Sequence, residues 1–468
     1  MLSSTDNELL TRVGPGTSMG DMLRRYWVPA LLGEELPEPG SPPLRLKLLG
    51  ERLVAFRDHD GAVGVLSEFC AHRRASLFYG RTESEDSRDG TTGLRCSYHG
   101  WKYDREGHCV DMPNEPPTSK FKHHIRLRAY PARERGGIVW VYLGPPELQP
   151  ELPELEWAML PDAHRYVSKR RQRCSYLQAM EGGLDSSHVS FLHSDAPLWS
   201  PPWTHQTRGP RRHLATGSPK FFVEPTGYGL LLGARRETDT GDHYWRITQW
   251  LMPWYTMVPR DEHEPIAAHA WVPVDDETCF TWNISYVPEE PLRKEQYDYY
   301  RTGGHIHAEL IPGTFDPVRN ADNDYQISRV LQKADVSYSG IAGIAMQDSA
   351  MQESMGPVVD RSEEHLGSAD AGIIAARRRL LAGARALAES GAAPPGLDPA
   401  THRVRSTSVV LPKETSWVAA TGDSRRADPA LYADPARVAT APEATAPAAT
   451  APADPPPGAS TARTGERA

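Results

Sequence analysis

The stretches "CAHRRASLFYGR", Cys70 to Arg81, and "LRCSYHGWKYD", Leu94 to Asp104, decide how this chain is read. Each sets one cysteine close to one histidine: Cys70 with His72, and Cys96 with His99. Each lies beside a short run that reads as a strand, so a tight loop can aim both side chains the same way. Two such loops facing each other make a Cys2His2 set. Three readings compete: unrelated residues, a structural zinc site, and a [2Fe–2S] cluster. Zinc fingers pair like with like, two Cys in one half and two His in the other. Here each half mixes the two. A cluster with two Cys on one iron and two His on the other asks for that mixture, because each loop then serves both irons. Neutral imidazole in place of thiolate also lowers the cluster's negative charge and raises its potential.

Bulk properties leave room for this reading. At 468 residues the chain suits two or three domains and a sizeable core. A formal charge of −9 and a pI near 6.1 argue against non-specific binding to nucleic acid or an anionic membrane. No apolar run reaches the length of a transmembrane helix, and "MLSSTDNELL" shows no secretory leader. Five cysteines are too few and too scattered for a disulfide framework, so a reducing cytoplasm is expected.

The expected fold class is α+β. Residues 16–27 read as a short helix, and residues 1–43 as an N-terminal helical segment packing on the catalytic domain. From 44 to 147 the texture is a small all-β domain. It holds three strands in "LRLKLLGERLVAFRDHDGAVGVL", a hairpin in "WKYDREGHCV", and closing strands in "IRLRAYP" and "GGIVWVYLG". Residues 148–418 read as a second domain, a multi-stranded antiparallel sheet flanked by helices. "GYGLLLGARRE" pairs with "HYWRITQWLMP", and "IAAHAWVPV" with "CFTWNISYV". Helices are expected in "PLRKEQYDYYRTGGHIHAEL", "GIAGIAMQDSAMQESM" and "SADAGIIAARRRLLAGARALAESG". Residues 419–468, rich in Ala and Pro, read as a disordered tail.

A second histidine motif is "DSSHVSFLH", Asp185 to His193. Five residues separate His188 from His193. On a regular helix that leaves the rings roughly 140° apart, so they meet only if the helix ends or bulges between them. From spacing alone, a metal site and two unrelated polar residues stand level.

"CAHRRASLFYGR" and "LRCSYHGWKYD" closely resemble the Rieske signature of the ring-hydroxylating oxygenase alpha subunits. The resemblance extends from about residue 10 to 418, through "NELLTRVGPGTSMGDMLRRYWVPAL", "LGERLVAFRDHDG", "ERGGIVWVYLGP", "EGGLDSSHVSFLH" and "MGPVVDRSEEHLG". It is strongest to the branch of phthalate 4,5-dioxygenase, phenoxybenzoate dioxygenase and the aromatic O-demethylases. It implies that Cys70, His72, Cys96 and His99 hold a Rieske [2Fe–2S] cluster. It also implies that His188, His193 and Asp348 hold a mononuclear Fe(II), a facial triad with open positions. From residue type alone Glu353 and Asp324 compete with Asp348. Asp185 is implied to hydrogen-bond both His188 and the Rieske histidine His99 of a neighbouring subunit; on its own it also reads as a helix N-cap. One departure is a long gap between His72 and Cys96. Its excess, "ESEDSRDGTT", reads as an exposed insertion.

The implied function is a terminal oxygenase that uses dioxygen and reductase-supplied electrons to dihydroxylate an aromatic compound, expected to be an aromatic carboxylate. An O-demethylating monooxygenase is the alternative within the class. A non-catalytic iron–sulfur carrier or zinc scaffold is the alternative outside it. No Gly-rich flavin or nicotinamide fingerprint is present, so a separate NAD(P)H-dependent iron–sulfur flavoprotein reductase is implied. So is a homotrimer, or stacked trimers, with electron transfer between subunits. Arg235, Arg236 and Arg246 are the candidate substrate residues. An inward arginine would pair with a carboxylate, and the competing reading is an exposed charged face. Trp250, Met252 and Trp254 read as core more than as pocket wall, and His305 and His307 as polar surface histidines.

Overall fold

The computed structural model describes residues 2–87, 89–194, 198, 219–259 and 265–429. The alternating runs from residue 44 fold as the turn signals dictate. Leu44–Leu48, Glu51–Arg57, Val63–Ser67 and Ala129–Tyr130 form one four-stranded antiparallel sheet. Arg81–Glu83, Gly93–Arg95, Lys102–Tyr103 and Cys109–Asp111 form another. Val54, Phe56, Leu66, Leu94, Trp101 and Tyr103 pack together between them, with Cys70 and Cys96 at the edge of the same cluster.

Several segments depart from expectation; "PLRKEQYDYYRTGGHIHAEL", for one, is helical only over Lys294–Arg301. Residues 16–27 are not one helix: Ser18–Leu23 is helical, capped by Thr17, and the chain becomes a strand at Trp27. Strand Trp27–Leu32 is buried along its whole length and pairs with Ile138–Tyr142. It is an edge strand with a register shift after Pro29, which is where a proline is tolerated. The stretch read as the start of the tail is also folded. Trp417–Ala420 is helical, Ala427 is buried, and Arg405 and Ala427 donate backbone N–H groups to the carbonyls of Arg425 and Arg403. The Ala/Pro-rich remainder, residues 430–468, lies outside the described residues.

The insertion after His72 is not simply exposed. Asp89 and Ser87 accept hydrogen bonds from Lys102 Nζ at 2.6 and 2.9 Å, Glu83 pairs with the same ammonium at 3.0 Å, and Lys102 is fully buried beneath them. A buried ammonium needs such partners, and the extra residues supply them.

The larger sheet runs Arg165–Gln172, Cys279–Tyr286, Ile266–Pro273, Tyr255–Val258, His243–Leu251, Gly229–Glu237 and Lys220–Pro225, all antiparallel. Thr407–Leu411 adds to the free half of His243–Leu251. Directly opposed residues share a face, so register and alternation collect Ser168, Arg170, Asn283, His269, Thr256, Arg246 and Arg236 on one side. On that side lies helix Tyr176–Leu184. A Cβ at Gly183 would stand 2.4 Å from Trp271 and 2.9 Å from Thr256 Oγ1. A Cβ at Gly182, on the other flank, would stand 2.3 Å from Gln352 Nε2 of helix Ile344–Ser354. The helix fits between sheet and helix because neither residue has a side chain.

Glu181 fixes the same helix from its third side. Arg377, on helix Ala371–Ser390, grips its carboxylate at 2.6 and 2.9 Å, and Arg361 reaches it at 3.2 Å. Burial alone would raise this carboxyl's pKa, but the two arginines outweigh it and hold it below the ordinary value. Its contribution to stability is therefore complete above the ordinary glutamate range and is lost as pH falls through the lower folded value. Glu181→Ala is expected to destabilise the fold by about 3–5 kcal/mol, because it strands buried cations. Denaturant unfolding followed by tryptophan fluorescence measures it; an unchanged midpoint would refute the anchor.

Candidate functional site

The two Cys/His loops are built alike. Cys70 N–H donates to Ala75 O and Arg74 N–H to Cys70 O; Cys96 N–H donates to Trp101 O and Gly100 N–H to Cys96 O. The fourth residue after each cysteine is left-handed, Arg74 at φ +61° and Gly100 at φ +79°. Glycine adopts this freely, and at Arg74 the loop bears the cost. The imidazoles of His72 and His99 meet edge to face with centroids 4.5 Å apart, and His72 stacks on Trp101 at 4.6 Å.

The chemistry of this set fits an iron–sulfur cluster. Both sulfurs are buried, and a hydrogen bond between the two thiols lowers the Cys96 pKa and raises that of Cys70. Tyr103 Oη lies 3.2 Å from Cys70 Sγ and also accepts the Ala71 N–H. The Nδ1 atoms of His72 and His99 are buried with no hydrogen-bond partner among the described residues. Two orphaned ring nitrogens beside two close sulfurs leave the electron pairs a metal would use.

The second histidine pair converges by helix termination. Helix Tyr176–Leu184 ends with Asp185 at its C-cap, and a 3-10 turn runs over His188–Ser190. The rings of His188 and His193 come to 4.9 Å, nearly perpendicular. Asp348, on helix Ile344–Ser354, completes the group, with Oδ1 3.1 Å from His193 Nε2 and 3.6 Å from His188 Nε2. The three ligand atoms lie within 4.8 Å of one another, and no other such group of His, Cys, Asp or Glu occurs among the described residues. Two atoms each about 2.1 Å from an ion and at right angles would lie about 3 Å apart. The set therefore fits a metal with little adjustment. Burial would raise the Asp348 carboxyl, but His193, His188 and the buried Arg170 outweigh it and hold it at about 2.

Each histidine is oriented through its far nitrogen. His188 Nδ1 lies 3.2 Å from Asp185 Oδ2, and the Asp185 carboxylate also accepts the N–H groups of Ser187 and His188. Asp185 is thus an acceptor for the turn that follows it, not the N-cap of a helix. Burial would raise its carboxyl; His188 outweighs that and lowers it. His193 Nδ1 lies 2.7 Å from Gln347 Oε1. The Gln347 amide nitrogen donates to Ser339 Oγ and Ile341 O, which turns its oxygen toward His193. Both Nε2 atoms thereby face the common point. Sequence reading missed Gln347; its position beside Asp348 was the available signal.

The remaining candidates separate. Glu353 accepts the Arg173 N–H, and Asp324 is exposed on an irregular turn, so neither joins the histidines. His307 is buried rather than on the surface, bound by Ser168 and Ser285 hydroxyls at 2.7 and 3.0 Å. Trp250, Met252 and Trp254 are fully buried core. Arg236 and Arg246 are buried on the helix side of the sheet, whereas Arg235 points to the opposite face, over the Phe222 ring. Arg236 donates to Ser186 O at 2.9 Å and approaches Ser190 Oγ, while its Nε and Nη1, and Nε of Arg246, are buried without a partner among the described residues. Burial, then the neighbouring Arg246, lowers Arg236 to about 10.

Comparison with known proteins finds a counterpart for each half of the chain. Residues 26–131 match the Rieske [2Fe-2S] domain, and residues 141–437 match the model described as LigXa C-terminal domain like. The chain is 39% identical over 438 residues to the 3-chlorobenzoate-3,4-dioxygenase oxygenase subunit of Comamonas testosteroni, covering 89% of this chain and 97% of that one. It is 35% identical to the phthalate 4,5-dioxygenase oxygenase subunit of Pseudomonas putida, covering 89% and 94%. Among solved structures, dicamba monooxygenase bound to 3,6 dichlorosalicylic acid shares the fold, with a TM-score of 0.55 at 17% identity over 78% of this chain and 99% of that one. With two consecutive domain matches and relatives aligned over almost their whole length, the chain belongs to the Rieske non-haem iron ring-hydroxylating oxygenases, as an oxygenase subunit with a [2Fe–2S] domain and a catalytic domain of the kind that uses a mononuclear iron.

Proposed function

We propose that this chain is the terminal oxygenase of a system that dihydroxylates the ring of an aromatic carboxylate. The observation that carries the substrate class is Arg236. A guanidinium buried beside the His188 turn, with two donors unspent, is costly unless an anion completes it. A carboxylate presents two oxygens in the geometry of that fork. Arg246, two strand positions away on the same face, adds a second positive charge. Arg235, on the other face, takes no part. Relatives named for chlorobenzoate and phthalate point to the same class.

Cys70, His72, Cys96 and His99 hold the cluster; His188, His193 and Asp348 hold the iron. When bound, these groups supply electron storage and dioxygen activation. The chain's own residues do the rest. Asp185 and Gln347 fix the imidazole tautomers. Arg236 sets the acid end of the substrate so that a ring edge faces the triad. In the assembly Asp185 also reaches His99 of a neighbouring subunit, which makes a homotrimer, or stacked trimers, the working unit. Electrons come from a separate NAD(P)H-dependent flavoprotein reductase, in the cytoplasm. Among the described residues no helix is long and apolar enough to cross a membrane.

The test is incubation with a reductase, NADH and a panel of benzoates, phthalates and methoxybenzoates, with products identified by mass. Gain of both dioxygen atoms and two hydrogens is expected; loss of a methyl group would replace dihydroxylation by demethylation. Arg236→Met should raise KM for the acids at least tenfold and leave no preference over the matching amides. An unchanged KM would remove Arg236 from the substrate site. His188→Ala should keep the cluster's visible absorbance and abolish product. Retained turnover would refute the triad.

A further inference from the structure

On the helix-facing side of the sheet, His269 is a polar group with no part in the triad or the arginine pair. It sits on strand Ile266–Pro273, beside Asn283 on one neighbouring strand and Thr256 on the other. Its surroundings leave one protonation pattern. The Asn283 amide nitrogen donates to Thr281 O at 3.2 Å, and its oxygen accepts from Arg170 Nη1 at 2.9 Å. That oxygen lies 3.1 Å from His269 Nδ1. An acceptor already fixed by arginine requires the hydrogen on Nδ1. Nε2 is then a lone pair.

That lone pair has no hydrogen-bond partner among the described residues. His269 nevertheless keeps part of its surface accessible on the helix-facing side of the sheet, so it does not simply fill core. Burial, then Arg170, pushes its pKa down to about 4, and Asp348 of the triad opposes the shift. The ring is thus neutral at working pH and within electrostatic reach of the metal group. Stacking on Trp271, with centroids 5.1 Å apart, fixes its plane. Strand spacing sets the His269 backbone about 16 Å from that of Arg246 and about 25 Å from that of Arg236. With the side chains reaching inward, one aromatic ring with a substituent at each end can bridge His269 and the arginine pair.

We propose that His269 is a second recognition group of the substrate cavity, accepting through Nε2 a hydrogen bond from a hydroxyl or amino donor on the ring whose carboxylate Arg236 holds. The inference rests on the carboxylate reading and narrows it to hydroxy- or amino-substituted aromatic acids. A bound substrate without a donor covers this acceptor and leaves it unsatisfied, and such sites discriminate strongly.

The experiment is calorimetric titration of the intact holoenzyme without dioxygen, using 3- and 4-hydroxybenzoate, their amino analogues, and the isosteric 3- and 4-methylbenzoates. At one ring position the donor-bearing acid should bind at least about tenfold tighter than its methyl isostere. In His269→Leu that ratio should fall to within about twofold, whereas His269→Gln, which keeps an acceptor oxygen, should restore part of it. Wild-type ratios within twofold at both positions would overturn the proposal without any variant, and a ratio that survives His269→Leu would overturn it as well. Failure of every acid to bind would instead overturn the carboxylate reading.

Discussion

The close passage of helix Tyr176–Leu184 between the sheet and helix Ile344–Ser354 is the constraint on which the catalytic half depends. Gly182 and Gly183 are the points of contact, one on each flank, and no side chain fits at either. The histidine turn begins where this helix ends, and Asp348 stands one helical turn before Gln352, the residue packed on Gly182. The contact that sets the spacing of the two helices therefore also sets the spacing of His188, His193 and Asp348, the candidate metal ligands. Glu181, Arg361 and Arg377 hold the arrangement in place through a buried ionic cluster. Gln178 ties the helix further to the carbonyls of Gln352 and Gly356.

The site leaves polar groups unspent where ligands belong. The Nδ1 atoms of His72 and His99, and guanidinium donors of Arg236 and Arg246, are buried without a partner among the described residues. Each such group costs about 1–3 kcal/mol in a folded interior. The neighbouring networks are complete by contrast: Lys102 has four partners, and Gln347 uses both ends of its amide. Unpartnered atoms also occur elsewhere in the core, at Tyr142, Trp157 and Trp245 among others, so it is their clustering on histidine and arginine side chains at the two sites that points to ligands.

Much of this was legible in the chain. The strands at 44–67, the hairpins across "TDTGD" and "DDET", and the long helix closed by left-handed Gly391 all follow from alternation and turn chemistry. The two Cys/His loops were local enough to read directly. Strand Trp27–Leu32 was not, because its partner lies more than a hundred residues away and a proline interrupts its pattern. The folded stretch at 419–429 was hidden by its polar composition; what holds it is pairing with residues 403–405. Gln347, Arg170 and His269 were invisible for a related reason. Their roles arise from which sheet face and which helix flank they occupy, and only tertiary packing decides that. Arg235, Arg236 and Arg246 looked alike in sequence, and strand alternation divided them.

The most direct measurement is the ratio of iron to acid-labile sulfide in the purified wild-type protein. A cluster on Cys70, His72, Cys96 and His99 together with one iron on His188, His193 and Asp348 gives about three irons and two sulfides per chain. Equal amounts of iron and sulfide under iron-replete conditions would remove the mononuclear centre, and zinc with no sulfide would remove the cluster as well.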